Sequence, residues 1–514
     1  MKTNQYTSLM LSLFLSLITL GCGESLEDTY KEYAGDGEIR YIGQCTELSV
    51  SSGWKHLSVK WKNNVDPIID KIKVTWSKDD NVQSVLLDRN VSEYDIQGLE
   101  EDGNYEVSVC SLDKSGNSSV VNTVYGRPYT ESHEEVMAFT RLVSRHFFIK
   151  NRLVLTFSGW DDNVISAELH YTTQNGEAKT KPITQYEVLG DGQILIEDEI
   201  DTTKPVELYR TGRIAGCNDI ITFDPYVLLK ERFFNSDLKQ ELKRQFGFDE
   251  DIPEEWIDNV EELELDWNIS SFEDLLNFPN LKKLVLGKNR YLQDSAINDE
   301  ERGQSKLYDK QASPWGPASL SDFTLQTLNK LNGLTVERYN KHYQAMSKAS
   351  FVEEKGKPEF PTLKLIDLKD KTFSSLPEDE EGYVSNIKHL TDGNANTYWQ
   401  PLQRSSFTTY ELILDLGETK TVNGLEFVQR TFENNDNQYI IAPSMIKIKV
   451  STDQINWEDA TYLEESTIGN SNGEITLIPF KKGGKNVRFL KINVNTASYY
   501  GYYNTSFAEI GLYE

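Results

Sequence analysis

The chain has 514 residues, which at about 100 to 200 residues per domain predicts several domains rather than one compact enzyme core. Its 53 Lys and Arg residues against 81 Asp and Glu residues give a net charge of −28, which disfavours binding to nucleic acid. A hydrophobic fraction of 38%, with 26 Tyr against 22 Phe, excludes wholesale disorder and favours β-rich domains.

The N-terminus predicts export and lipid attachment. Leu9 to Leu20 is an apolar run of 12 residues, the length of a signal-peptide core and short for a membrane span. The run ends at Leu20-Gly21-Cys22, which resembles a bacterial lipobox, so we expect residues 1–21 to be a signal peptide. Cys22 would then carry the lipid (palmitate), and residues 22–44 would form a tether. The alternative is an ordinary secretory signal with an incidental cysteine.

Three cysteines remain after Cys22, and their spacing fits neither a disulfide framework nor a zinc site. They are Cys45, Cys110 and Cys217. A bridge between Cys45 and Cys110 is conceivable, but buried single thiols are favoured.

Residues 45–129 predict a β-sandwich. Period-two apolar spacing marks several short strands. These include His56 to Lys62, Lys71 to Trp76 and Tyr105 to Val109. Leu99 and, six positions later, Tyr105 have the arrangement of a tyrosine corner. The segment resembles a fibronectin type III domain, which implies a spacer or presenter.

Residues 130–225 have a similar length and rhythm and predict a second sandwich of the same kind. Its strands include Arg152 to Phe157, Val164 to Tyr171, Gln193 to Glu197 and Val206 to Ile214. Together the two segments look like the paired N-terminal sandwiches of lipoproteins from gut Bacteroidetes.

Residues 226–375 predict a small α/β connector. Apolar residues at helical spacing indicate a helix over 226–246, and leucine-rich-repeat-like units follow. The units are Val260-x-x-Leu263-x-Leu265, Leu281-x-x-Leu284-x-Leu286, Leu331-x-x-Leu334-x-Val336 and Leu363-x-x-Ile366-x-Leu368. The ten acidic residues within 249–266 are interpreted as a solvated face rather than as a calcium or catalytic site.

Residues 383–514 carry the most specific motifs. They are Leu390-Thr391-Asp392-Gly393-Asn394-Ala395-Asn396-Thr397-Tyr398-Trp399, Tyr410 to Gly417, Pro443 to Ser451, Val487 to Ile492, and Phe507-Ala508-Glu509-Ile510. In spacing and order they resemble the discoidin, or coagulation-factor (F5/8) type C, domain, and specifically carbohydrate-binding module family 32. The resemblance implies a jelly-roll β-sandwich with a ligand site on its loops.

A structural calcium ion is predicted in this domain. The Asp392-Gly393-Asn394 turn brings a carboxylate and backbone carbonyls together, and Ca²⁺ prefers such mixed oxygen ligands. The resemblance implies that the ion joins this turn to the last strand. Carried over by position, its ligands are His389, Asp392, Asn394, Thr397, Ala508 and Glu509, with His389, Asn394 and Ala508 using carbonyls. The alternative is that Asp392 only caps the turn.

The resemblance also implies a ligand site in which a ring stacks on a sugar face while Arg and amide groups bind hydroxyls. The matching residues are Arg430, Asn435 and Asn437 in the loop after it, Gln400 after the motif tryptophan, and Tyr499, Tyr500, Tyr502 and Tyr503. Trp399 is expected in the core. Galactose-preferring members often have His where this chain has Gln400, which puts a galactose preference in doubt. The alternative is that Arg430 pairs with a carboxylate and the tyrosines pack locally.

Motifs of nucleotide-binding loops, serine hydrolases and zinc proteases do not occur, and no segment has the β/α alternation of a hydrolase barrel. We therefore expect a mainly β, multidomain, non-catalytic lipoprotein on the outer membrane, facing the exterior and held there by its lipid alone. Its C-terminal domain would bind a glycan or oligosaccharide, in polysaccharide or host-glycan capture, beside transporter or glycoside hydrolase partners. The alternative is an adhesion or protein–protein interaction module.

Overall fold

The computed structural model describes residues 41–248, 251–266, 269–293, 317–340, 349–378, 386–431, 441–443, 445–462, 466–469 and 471–514. The predicted signal peptide, Cys22 and most of the tether lie outside these residues. The chain divides into two compact units, one comprising residues up to 139 with 211–223 and the other comprising 140–210 with 224–514. The finer boundaries given above stay predictions.

The first sandwich has seven antiparallel strands in two sheets. The strands are β1 (Thr46–Gly53), β2 (His56–Lys62), β3 (Lys71–Lys78), β4 (Asn81–Asp88), β5 (Glu93–Gln97), β6 (Tyr105–Leu112) and β7 (Asn122–Gly126). One sheet has the order β1-β2-β5 and the other β4-β3-β6-β7. Alternation places Leu57, Val59 and Trp61 in the core. The hydroxyl of Tyr105 donates to the carbonyl of Glu101 at 3.3 Å, as the tyrosine-corner pattern predicts.

The three described cysteines are buried free thiols, which confirms the preferred interpretation over a bridge. Cys45 lies within 3.5 Å of the Ser111 hydroxyl. Cys217 packs in a small satellite core beside helix α1 (Glu134–Met137). Burial raises the pKa of all three thiols, so they are expected to be unreactive near neutral pH.

The second sandwich repeats the strand order of the first. Its elements are β8 (Val143–Ile149), β9 (Arg152–Phe157), β10 (Val164–Thr172), β11 (Ala178–Pro182), helix α2 (Gln185–Asp191), β12 (Gln193–Ile196), β13 (Glu207–Gly212) and β14 (Ile221–Val227). The sheets have the orders β12-β9-β8 and β11-β10-β13-β14. Thr184 and Glu187 form a capping box at the start of α2.

The connector is a parallel sheet covered by helices. Its elements are α3 (Ser236–Phe246), α4 (Glu254–Asn259), β15 (Glu262–Leu265), a 3₁₀ helix (Glu273–Asn277), β16 (Lys283–Leu286), α5 (Pro317–Asn332), β17 (Thr335–Tyr339) and β18 (Val352–Gly356). The strands β15, β16, β17 and β18 pair in parallel and in chain order, as a solenoid requires. The predicted helix over 226–246 is shorter in the structure, because β14 extends to Val227 and α3 begins at Ser236.

The first two predicted repeat units contain β15 and β16, and the third overlaps the start of β17, but the fourth was wrong. Leu365 forms a bridge with Tyr513, and the amide of Ile366 donates to the carbonyl of Leu512 at 2.8 Å. Ile366, Leu368 and Phe373 therefore belong to the core of the C-terminal sandwich, which starts upstream of residue 383. The fourth solenoid strand is β18.

The C-terminal sandwich has one large and one small antiparallel sheet. Its strands are β19 (Ser374–Leu376), β20 (Thr409–Val422), β21 (Gly424–Val428), β22 (Met445–Ser451), β23 (Glu458–Asp459), β24 (Ser466–Thr467), β25 (Ile475–Pro479), β26 (Lys485–Asn495), β27 (Ala497–Tyr499), β28 (Tyr502–Asn504) and β29 (Glu509–Tyr513). The large sheet has the order β19-β20-β26-β22-β23, and the small sheet has the order β25-β21-β29. Short 3₁₀ helices lie at Ile387–Thr391 and Lys481–Gly483.

The acidic stretch is largely matched by basic side chains where it is described. Lys282, Lys283 and Lys288 pair with Glu261, Glu262 and Glu264, at 2.6, 3.0 and 2.7 Å respectively. These surface pairs support the interpretation as a solvated face.

Among the helices within the described residues, none combines the length and apolar character needed to cross a bilayer.

Candidate ligand-binding site

Arg430 is held in a defined position two residues after β21. Its Nη1 donates to Oε1 of Gln400 at 2.8 Å, and its guanidinium carbon lies 3.4 Å from the centre of the Tyr398 ring. Stacking on an aromatic face restricts the planar guanidinium, which lowers the entropy cost of binding a further partner.

Trp399 explains why Tyr398 and Gln400 can both reach Arg430. Its indole is fully buried against Tyr410 and Phe507, with ring centres 5.3 and 5.4 Å apart. Its amide donates to the carbonyl of Phe507 at 2.9 Å, so the segment is extended. The predicted core position of Trp399 is thus confirmed, and its two neighbours are left half-buried.

The predicted tyrosine platform is a short hairpin of β27 and β28. Tyr500 and Gly501 form its turn, with φ angles of 47° and 80°, and a left-handed pair of this kind matches the twist of the strands. Tyr500 is 81% exposed and Tyr502 is 53% exposed. Tyr503 is half-buried near Phe407, and its main chain pairs with Arg404. Among the described side chains of the hairpin, the exposed rings are those of Tyr500 and Tyr502.

The structure brings together some of the predicted ligand residues. Arg430 and Gln400 are in contact, while Asn435 and Asn437 lie outside the described residues, as does the side chain of Tyr499. Tyr398 was missed by sequence analysis, although it adjoins the motif tryptophan. The sequence does not show that Arg430, which is distant in the chain, lies against the same face of the segment as the Tyr398 ring.

The predicted calcium ligands converge on the turn after the 3₁₀ helix at Ile387–Thr391. The amide of Asn394 donates to Oδ1 of Asp392 at 2.8 Å and to Oε1 of Glu509 at 2.9 Å. The Thr397 hydroxyl donates to Oδ2 of Asp392 at 2.8 Å and lies equally close to the Asn394 carbonyl. The turn and the last strand are therefore joined by these oxygen atoms.

The remaining two predicted ligands border this cluster through their main chains. The ring Nδ1 of His389 lies 2.9 Å from the Tyr398 carbonyl. The main-chain carbonyl of His389 is the atom predicted to bind the ion. Ala508 is fully buried, and its amide donates to the Val428 carbonyl at 2.9 Å. Both residues are thereby fixed next to the turn.

The two acidic side chains in the cluster interact directly, and their pKa values move apart. Burial and the hydrogen bond with Asp392 raise the pKa of Glu509 to about 8. Burial acts to raise the pKa of Asp392 as well, but hydrogen bonds with Glu509 and Thr397 hold it below its ordinary value. Two neighbouring carboxyl groups at one turn provide a suitable place for a divalent cation.

The donor set fits calcium by its chemistry. All the predicted ligands offer oxygen, and Ca²⁺ takes carboxylate, hydroxyl and carbonyl oxygens together. Within the described residues, no three or more His, Cys, Asp and Glu side chains gather as a metal site. An ion here would thus depend on two carboxylates and on neutral oxygens.

Comparisons with known proteins assign parts of the chain. Residues 371–510 match a family model described as the F5/8 type C domain, and residues 22–206 match a model described as a domain of unknown function. No curated protein sequence matches the chain.

Solved structures similar to parts of the chain include an F5/8 type C domain from Bacteroides fragilis, at 22% identity and a TM-score of 0.24, covering 30% of this chain and 96% of that one. A two-domain fibronectin type III segment of chicken tenascin is 13% identical with a TM-score of 0.18, covering 36% of this chain and 98% of that one. The protein is a mainly β, multidomain chain with two antiparallel β-sandwiches before the connector and a C-terminal region that matches the F5/8 type C domain.

Proposed function

We propose that this protein is a non-catalytic, lipid-anchored cell-surface protein that binds glycans through its C-terminal F5/8 type C domain. The observation that carries the proposal is Arg430, stacked on Tyr398 and hydrogen-bonded by Gln400 next to the end of β21. A guanidinium fixed in this way presents hydrogen-bond donors in a constant direction. Such preorganisation is what recognition of neutral hydroxyl groups needs.

The chemistry of sugars supports this assignment. Their rims carry hydroxyl groups, which Arg430 and the amide of Gln400 can bind, and their C–H faces are apolar. Tyr500 and Tyr502 expose large rings that suit those faces. The resemblance to carbohydrate-binding module family 32 points to the same class of ligand, and the contact between Gln400 and Arg430 gives Gln400 a defined role where galactose-binding members often have His.

Calcium is proposed as a structural cofactor. Asp392, Glu509 and Thr397 would hold it, with carbonyls of His389, Asn394 and Ala508. The ion would join the turn to β29 and neutralise the two neighbouring carboxylates. Its expected effect is a higher melting temperature of the C-terminal domain.

We propose that Cys22 is acylated and that its lipid holds the protein on the outer membrane, facing the exterior. Partner glycoside hydrolases or an outer-membrane transporter would then act on glycan that this protein holds nearby. Tethering raises the effective concentration, so a weak single-site affinity is sufficient. Palmitate labelling of the chain and of a Cys22→Ser variant tests the anchor, and equal labelling would contradict it.

The test of the function is a glycan array of host and plant oligosaccharides probed with the full chain. Arg430→Ala should reduce the signal about tenfold or more, because it removes charge-assisted hydrogen bonds. Arg488→Ala is the matched control, since Arg488 belongs to the same domain and pairs with Asp415 on an exposed surface. Equal signals from wild type and Arg430→Ala would contradict the site, and an array without any signal would contradict the glycan proposal.

A second candidate is a protein partner, which the edge of the first sandwich favours. Strand β4 is an edge strand, and Val82 and Leu86 on it are 64% and 60% exposed. Exposed apolar edge strands can pair with a strand of another protein. A pull-down that survives sugar competition and is lost in Leu86→Lys would support this role.

A further inference from the structure

The loop at residues 471–474 adjoins Arg430 and forms hydrogen bonds on two sides. The Gly473 amide donates to the Arg430 carbonyl at 3.1 Å, and the Gly473 carbonyl accepts from Nε2 of Gln293 at 3.2 Å. Arg430 belongs to the C-terminal sandwich and Gln293 to the connector. One residue of the loop therefore links the proposed ligand arginine to the connector.

A buried ion pair lies directly beside this link. Arg290 donates from Nε and Nη2 to the two carboxylate oxygens of Glu474, at 2.8 and 2.9 Å. The two side chains are only 3% and 0% exposed. A paired, two-bond contact of this kind fixes orientation as well as distance. Its partners are 184 positions apart in the chain.

Both partners are themselves held in place. On the connector side, Nδ2 of Asn340 donates to the Arg290 carbonyl at 2.8 Å. On the sandwich side, the Glu474 carbonyl accepts from the Gln429 amide at 2.8 Å. The pair is thus connected through main-chain hydrogen bonds to the residue that precedes Arg430.

The fit of the loop leaves little room for adjustment. A β-carbon on Gly473 would lie 2.8 Å from Cγ of Gln293, and the φ of Gly473 is +60°, in the region that favours glycine. Two residues after Gly473, the amide of Ile475 donates to the Tyr291 carbonyl at 3.1 Å. Three contacts therefore join residues 290–293 of the connector to residues 473–475 of the C-terminal sandwich.

We propose that Arg290 and Glu474 are positioning residues for Arg430, so that the connector and the C-terminal domain together form the ligand-binding unit. The ligand in this inference comes from the proposed function, whereas the geometry comes from the contacts described above. A buried ion pair is a poor source of stability, because desolvation offsets most of the attraction, whereas it specifies geometry well. Without the connector, the carboxylate of Glu474 would lose its bidentate partner beside the site.

The experiment uses the full chain and three variants. Glu474→Gln removes the charge of the acceptor while keeping its shape, and Gln293→Ala removes only the hydrogen bond to Gly473. Asp274→Asn is the matched control, because Asp274 is also a fully buried carboxylate paired with an arginine, namely Arg145, in the same compact unit. All measurements are made well below the melting temperature of each variant.

The first readout needs no ligand. Hydrogen–deuterium exchange of peptides covering 425–431 and 471–476 reports the amides of Gln429 and Gly473. We expect exchange about tenfold faster in Glu474→Gln, a smaller increase in Gln293→Ala, and no change in Asp274→Asn. Unchanged exchange in Glu474→Gln, or an equal increase in Asp274→Asn, would overturn the positioning role.

The second readout is affinity, with N-acetyllactosamine and cellobiose as probes. For whichever probe the wild-type chain binds, Glu474→Gln should weaken binding about tenfold while Asp274→Asn leaves it unchanged. If wild type binds neither these probes nor any array glycan, the glycan proposal fails and the exchange measurement still decides the positioning role. If exchange increases but affinity stays constant, the pair positions the loop without serving the site, which also overturns the inference.

Discussion

The two N-terminal sandwiches have the same strand order, but their second strands are buried in different ways. In β2 of the first sandwich, buried residues alternate with exposed or half-exposed ones such as Ser58 and Lys60. In the equivalent strand β9, every residue from Leu153 to Phe157 is buried. A strand buried on both faces must have a second layer against it.

The connector supplies that layer. Phe147, Ile149 and Val154 share one hydrophobic core with residues of the connector, including Leu238 and Leu276. Arg145 on β8 forms an ion pair with the fully buried Asp274. The first sandwich instead has a core made of its own strands. Two sandwiches with the same strand order can therefore differ in whether the outer face of a sheet is free. The side chains on that face decide whether another layer packs against it.

The largest effect is expected from breaking the buried ion pair of the second sandwich. Arg145→Ala leaves Asp274 buried without its arginine, which should lower the free energy of unfolding by about 3–5 kcal/mol. Urea unfolding monitored by exchange of β8 and β9 measures it. Replacing both partners, as in Arg145→Met with Asp274→Leu, should recover most of the loss. A small loss in the single variant would show that the pair is solvated.

Exchanging the equivalent residues of β9 and β2 sharpens the comparison. Val154→Ser should destabilise by about 2 kcal/mol, because it removes buried methyl groups and buries a hydroxyl. Ser58→Val is the reciprocal change at a partly exposed site and should alter stability by less than about 0.5 kcal/mol. Urea midpoints of the two variants give the answer, and similar losses would contradict the difference in burial.

A smaller effect should be confined to the first sandwich. Tyr105→Phe removes the hydrogen bond to the Glu101 carbonyl and should cost about 1 kcal/mol. Faster exchange of amides in β6 with unchanged exchange in β13 would locate the loss. Equal changes in both strands would mean that the two sandwiches unfold together.

The smallest effect concerns pH. Burial raises the pKa of Glu273, which lies beside Arg145. The carboxyl of Glu273 therefore contributes stability at pH values below its pKa in the unfolded chain. This contribution is lost as pH rises through its pKa in the folded protein. Glu273→Gln does not titrate there. The variant should therefore gain stability relative to wild type as pH rises above the ordinary range of glutamate, as measured by melting temperature. A difference that is constant with pH would contradict a raised pKa.

Local patterns in the sequence were enough to predict most strands. His56 to Lys62 and Arg152 to Phe157 match β2 and β9 residue for residue, because period-two alternation or a short apolar run is a property of the segment itself. The tyrosine corner was predicted from the local spacing of Leu99 and Tyr105, and the buried Trp399 from the resemblance to the discoidin domain.

The tertiary structure decided which segments meet. The segment around Leu365 has a repeat-like spacing, yet it pairs with Tyr513, since spacing does not reveal which strand edge is open. Likewise, nothing near Arg430 in the sequence identifies Tyr398 as its stacking partner. The same holds for Arg290 and Glu474, because a charge can pair with any of many opposite charges. The partner is selected only by the packing of the folded protein, which buries one of the possible ion pairs away from water.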